Sequence, residues 1–490
     1  MRPCGATIAA VLLALGPACL AAAPGDREAA ERQYRVARRL AAERSPDARA
    51  AFEKVLALDR EGPRADDALV EQALLEGPAR WPEQLGTIDE AAAGRAAKLL
   101  EQAVAGFPKA DRAAEARYLL GLLRLEPIAI HDASAARLDL IAVATDPAIT
   151  DFSLAARYAV AWLASETGHA DRAAAAFGRL LVDGPGREAA SRAATGLARL
   201  ELRRGDPGWA AMLLDRAVEG GAAPELLAGD LRELAVRAVL ARAGGERALT
   251  AAPVVALADR RIGAVVATPS GLIFADERRG TVGELLATGA AGAEWPLAEV
   301  HALAADPLGR VYAATADRIV RLAAGRSPLD LAVLDRFGPP QALVAESTGR
   351  LLLLDRKGAS IAVLEPGAKS LAIYWESTGP RLAGLVRDGE RLLALDTREK
   401  SVVVVEPGGT VRSLGLADLE RPVAFDVDPA GRIAVLDARE STIDVIERDG
   451  QRTRLACKPA GIAKPALAGF SADGTLQVLD GSTSQWYRVQ

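Results

Sequence analysis

The stretch Val423–Leu455 reads VAFDVDPAGRIAVLDARESTIDVIERDGQRTRL. Apolar and β-branched residues alternate over Val423–Val427, Ile433–Leu436, Ile443–Ile446 and Arg452–Leu455. Turn residues separate these runs: Asp428-Pro429-Ala430-Gly431, a polar loop from Asp437, and Asp449-Gly450. That pattern predicts four short antiparallel strands. The hairpin glycine recurs at Gly271, Gly309, Gly349, Gly389, Gly431 and Gly474, in steps of 38, 40, 40, 42 and 43 residues. The apolar run after it ends in aspartate at Asp276, Asp355, Asp396, Asp437 and Asp480, while the second unit carries Thr315 instead. A period near forty with four strands per unit predicts a six-bladed β-propeller over residues 248–490.

The sixth unit supplies Ala466–Gly469, Thr475–Leu479 and Trp486–Val489, which is one strand short of a blade. An open sheet edge would expose backbone donors and acceptors. The apolar stretch Pro253–Ala258 precedes the first unit and has no other role. It is therefore predicted to close the ring as the outer strand of blade six, beside Trp486–Val489.

Residues 22–247 change character, to Ala/Leu/Arg/Glu runs broken by Gly, Pro and Asp. Ala96, Leu100, Ala103 and Pro108 are spaced 4, 3 and 5 apart, and Ala173, Phe177, Leu180 and Pro185 repeat those steps. Steps of 4 and 3 fall on one helix face, and proline closes the helix. Helical hairpins are expected over Ser153–Pro185 and again around the turn Gly205-Asp206-Pro207. Gly77–Thr87, with two prolines, and Ile128–Pro147 break the pattern. The predicted class is thus multidomain, α then all-β, with an α-solenoid of helix-turn-helix repeats preceding the propeller.

Met1-Arg2, the apolar run Ala6–Leu15 and the small residues up to Ala23 predict a secretory signal peptide over residues 1–21. Lipidation of Cys19 is disfavoured, because Gly16 stands where a large apolar residue is needed. No other segment reads as a membrane span. Removing the signal leaves Cys457 alone, so no internal disulfide is expected. The net charge of −5 favours neither a nucleic-acid binder nor an acidic tail. Arg and Ala richness without asparagine points to a GC-rich bacterial genome.

The helical spacings resemble tetratricopeptide repeats. The segment Phe107–Asp111 to Tyr118–Gly121 looks like the repeats of bacterial envelope proteins. The propeller units resemble the NHL-repeat family: five of them carry an aspartate, a polar loop and, six residues on, an apolar residue, as at Val282, Ile361, Val402, Ile443 and Trp486, while the second departs with Thr315 and a short loop. The resemblance implies a scaffold, with a solenoid groove and a propeller face that bind proteins in a periplasmic envelope assembly. The alternative is a propeller enzyme, or a sensor of small ligands or glycans, using the central channel. Zinc lyases of this fold need several channel histidines, but His301 is the only histidine of this half, and calcium lactonases use asparagine, which is absent. His131 and His169, in the helical half, have no second ligand at zinc spacing. Catalytic residues, metal and cofactor are accordingly expected to be none. The ring aspartates are expected to accept backbone N–H groups of their own loops. Arg278, Arg279, Arg356, Lys357, Arg398, Lys400 and Arg439 form a candidate basic rim for an anionic partner, diluted by Glu277, Glu399 and Glu440.

Overall fold

A computed structural model describes residues 24–219, 231–236, 238, 251–257, 260–268, 271–286, 289–334, 337–376, 381–389, 391–405, 411–414, 419–471 and 473–489. The expected signal peptide lies outside the described residues.

Among the described residues, ten α-helices form antiparallel hairpins: α1 (Pro24–Ala42) with α2 (Ala48–Leu58), α3 (Ala65–Leu75) with α4 (Glu90–Gly106), α5 (Ala113–Leu123) with α6 (Ala133–Ala144), α7 (Asp151–Glu166) with α8 (Ala170–Asp183), and α9 (Glu188–Arg204) with α10 (Pro207–Glu219). Small residues set the helix spacing. Gly196 of α9 faces the Phe177 ring, and an added Cβ would sit 2.7 Å from it. Gly205 closes α9 in the left-handed conformation (φ 84°) and turns the chain directly into α10. The irregularity expected over Ile128–Pro147 is confined to the turn before α6. Asp132 caps that helix through the Ala135 N–H, and the helix packs as its neighbours do. No helix among the described residues is long and apolar enough to cross a membrane.

Six four-stranded antiparallel sheets follow. Adjacent blades pack face to face through alternating Leu, Val and Ile, as where Leu354, Ile361 and Trp375 of blade three meet Leu385 and Leu392 of blade four. Ring closure is as expected. Ala251–Ala256 pairs antiparallel with Gln485–Val489, with Val255 opposite Trp486, on the outside of blade six. Pro253 sits beside a bulge on this edge strand, where its missing N–H costs no ladder bond.

The helical half packs against the propeller. It lies across the face formed by the hairpins between the first two strands of the blades. Ser347 donates to Glu166 of α7, and Arg310 reaches the Leu85 carbonyl at 3.5 Å. A Cβ on Gly349 would sit 2.3 Å from Pro127, and one on Gly474 the same distance from Leu234. Ala430 of the hairpins belongs to the solenoid's hydrophobic core, and Leu308 packs against it.

Candidate functional site

The ring aspartates are structural. Asp276 Oδ1 accepts from the N–H groups of Arg278, Arg279 and Arg261, at 3.1–3.4 Å. Asp355 accepts from Ala359 and Ser360, and Asp396 from Arg398 and Glu399. Asp437 takes Arg439 and Glu440 on one oxygen and Glu420 and Arg421 on the other. Asp480 takes Ser482 and Ala463. In the second unit the Thr315 hydroxyl accepts the Arg318 N–H instead. Each carboxylate pins its own loop, and several also pin the strand entry beside it. Four N–H donors hold the Asp437 carboxyl below the usual range against its burial. That stability is present above the ordinary carboxyl pKa and is lost as pH falls through the lower folded one. Asp437→Ala is expected to cost about 2 kcal/mol at neutral pH, read as a lower urea midpoint.

The seven rim cations are all exposed, on the loops after the second strands of blades one, three, four and five. That end of the disc faces away from the helices. The rim is neither continuous nor purely basic. Lys400 and Arg439 share Glu420 at 3.8 and 3.1 Å, and Arg261 holds Glu277 at 2.8 Å. His169 and His301 are exposed, while His131 is packed in the α5–α6 turn, where burial lowers its pKa.

A second ring, on the helix-facing side, was not anticipated. An acid opens the hairpin and an arginine follows its glycine: Asp306 with Arg310, Glu346 with Arg350, and Asp428 with Arg432. The signal was in the sequence, as the D/E-x-x-G-R spacing around Gly309, Gly349 and Gly431. Arg310 also donates to the Ser347 carbonyl, and Arg432 to the Gly474 carbonyl at 2.6 Å, so each clamps the next blade. Under this ring lies Glu126, 0% exposed, accepting the Gly86 N–H. Glu126 Oε1, the Tyr312 hydroxyl and one Arg321 nitrogen are buried there without a hydrogen-bond partner among the described residues.

Burial pushes the Glu126 carboxyl up to about 7, against the Gly86 hydrogen bond and the Arg310 and Arg321 charges. A folded pKa above the unfolded one means stability fully present below about pH 4.5 and lost as pH rises through about 7. At 1.36 kcal/mol per unit this amounts to roughly 3 kcal/mol. Asp426, pushed up to about 6 by burial, adds a slope of the same sign that ends lower. Glu126→Gln is therefore expected to flatten the fall in stability between about pH 4.5 and 7. Urea midpoints across that range check it.

The inner groove of the solenoid, lined by α5, α7 and α9, is already occupied. The segment at Gly77–Thr87 runs through it as a strap. The Tyr118 hydroxyl donates to the Arg80 carbonyl at 2.6 Å. Trp81 meets Tyr158 edge-on at 5.8 Å between ring centroids, and the Arg192 guanidinium lies 4.4 Å over the indole. Tyr158 donates to Glu83, and Arg192 pairs with Glu83 at 3.3 Å with both side chains nearly buried. Beyond the strap the groove stays open between α1, α3 and the start of α5, as a trough of about 670 Å³.

The central channel encloses about 610 Å³ between the inner strands, and Arg199, Arg203 and Leu231 close its helical end. Its walls are mostly Val, Ala and Leu. Asp426, which shares the lining with Asp306, Asp388 and Asp428, accepts the Val427 and Phe470 N–H groups at 2.8 and 2.7 Å and ties blade five to blade six.

No family model and no curated protein matches the chain. Solved structures resemble about half of the chain. Virginiamycin B lyase from Staphylococcus aureus is 12% identical over 49% of this chain and 99% of its own, with a TM-score of 0.39. A gluconolactonase from Xanthomonas campestris is 16% identical over 50% and 88%, with a TM-score of 0.37. A nidogen/laminin complex chain is 16% identical over 44% and 84%, with a TM-score of 0.35. Likenesses this distant carry neither fold nor activity over to this chain.

Proposed function

We propose that this protein is an exported, non-enzymatic scaffold of the bacterial envelope, with a tetratricopeptide-like solenoid and an NHL-like propeller presenting one rigid binding surface. The observation that carries this reading is the double occupation of the interior. The strap fills the middle of the groove, and the solenoid closes one mouth of the channel. The groove's tyrosines and Arg192 hold the strap, and Arg310 and Arg432 hold neighbouring blades. What is left for a partner is the open end of the groove and the exposed propeller face with its basic rim.

The test is cross-linking of the full-length protein in the envelope fraction, followed by reciprocal capture from the identified partner. A reproducible partner whose cross-links map to α1–α3 or to the rim loops supports the scaffold. Cross-links confined to the protein itself, together with turnover of a small molecule that Asp426→Asn abolishes, would replace it with a channel enzyme.

A further inference from the structure

We propose that the open N-terminal end of the solenoid groove binds an acidic, extended segment of a partner protein, along the line that the strap follows further on. This rests on the scaffold reading and names the chemistry of its ligand.

The strap shows what this groove grips. Its filled stretch holds an extended segment by a tyrosine hydroxyl on a main-chain carbonyl, and an acidic side chain by a tyrosine and an arginine. The open stretch repeats those residue types. Tyr34 of α1 is buried beneath the Arg64 guanidinium, 5.1 Å from its ring centroid. Arginines outnumber carboxylates on the trough's walls, five to three. The carboxylates are spent: Arg64 holds Glu31 and Asp67, at 2.6 and 2.7 Å, and Arg112 holds Glu71 at 2.8 Å. Arg38 and Arg39 are exposed and have no carboxylate partner among the described residues. Two uncompensated guanidiniums at the rim of a trough whose acids are already paired select for added carboxylates. Exposed arginines are commonly just solvated. These differ in that the neighbouring stretch of the same groove holds a segment carrying an acid, through an arginine.

The filled and open stretches also differ in how they are anchored. Strap residues are pinned by Arg310 of the propeller on Leu85 and by Glu126 of the α5–α6 turn on Gly86, so the strap is a fixed part of the fold. Among the described residues, the trough is lined from the helical half alone. A partner segment could enter there without parting the two domains.

The experiment uses the full-length protein and a short fluorescein-labelled peptide of alternating Glu and small residues around one Trp, with its Lys counterpart as control. Fluorescence anisotropy is expected to show binding of the acidic peptide only, weakening with salt. Arg38→Glu/Arg39→Glu should weaken it by about tenfold or more, and Arg38→Ala/Arg39→Ala by less. Both positions are exposed, so an unchanged melting transition checks that the variants fold. Equal binding of the Lys peptide, no binding of the acidic one, or no effect of the charge reversal overturns the proposal. Cross-linking with the Arg38→Glu/Arg39→Glu variant separates the two readings. An unchanged partner set leaves the scaffold standing and removes the groove assignment, whereas a wild type with no partner removes the scaffold itself.

Discussion

Replacing Arg310 with methionine should cost about 3–5 kcal/mol and loosen both domains at once. Its guanidinium is bonded to Asp306, to the Ser347 carbonyl of the next blade and, at 3.5 Å, to the Leu85 carbonyl of the strap. Methionine fills much of the same volume but leaves Asp306 buried without its cation, and two carbonyls without a donor. Burial already pushes the Asp306 carboxyl up, and the arginine is what opposes this. In the variant Asp306 should therefore take up a proton at higher pH than in the wild type. The equivalent Arg432→Met is the internal control. Arg432 holds Asp428 at 2.5 Å and the Gly474 carbonyl, with no bond to the strap. It should weaken the contact between blades five and six and leave the strap in place. Chemical denaturation gives the size of each effect. Proteolysis within residues 77–87 distinguishes them, rising in the Arg310 variant only.

The propeller was legible because its signal is local and repeated. Each hairpin glycine has to adopt a positive φ, as at Gly309 (80°), Gly349 (86°) and Gly431 (83°), and a ring aspartate finds its partners within a few residues. A pattern of that kind survives in one sequence. The missing strand of blade six was legible for a related reason: counting strands exposes a deficit, and one apolar stretch was left over. The helical hairpins from α7 to α10 were legible through their spacing. The strap was not. Its glycine and prolines read as a failed repeat, because what gives them meaning lies far away in the chain. Glu83 is paired with Arg192 across 109 positions, and Gly86 is held by Glu126 across 40. The docking of the solenoid over the hairpin face was equally invisible, since it depends on shape: Gly349 leaves room for Pro127, and Gly474 for Leu234. Nothing in the sequence signals that the chain fills the middle of its own groove.

Ring closure makes the second large prediction. Replacing residues 251–256 by a Gly/Ser linker in the full chain keeps the connection from the solenoid but removes the outer strand of blade six. Gln485–Val489 then becomes an edge with its outward N–H and C=O groups unpaired. Trp486, 3% exposed, packs in the seam with Leu272 and Phe274 of blade one and Leu479 of blade six, so the damage reaches both blades. The loss is expected to exceed about 4 kcal/mol, since a ladder and part of a core go together. A ring also differs from an open stack of repeats in how it fails. Every blade is packed against two neighbours, so releasing one seam leaves blades one and six each with a single neighbour and lets opening spread from there. Hydrogen exchange should therefore quicken first in Leu476–Asp480 and Gly271–Asp276 and then around the disc, while α3–α9 keep their protection. If exchange rises in Gln485–Val489 alone, Ala251–Ala256 merely decorates an already closed ring.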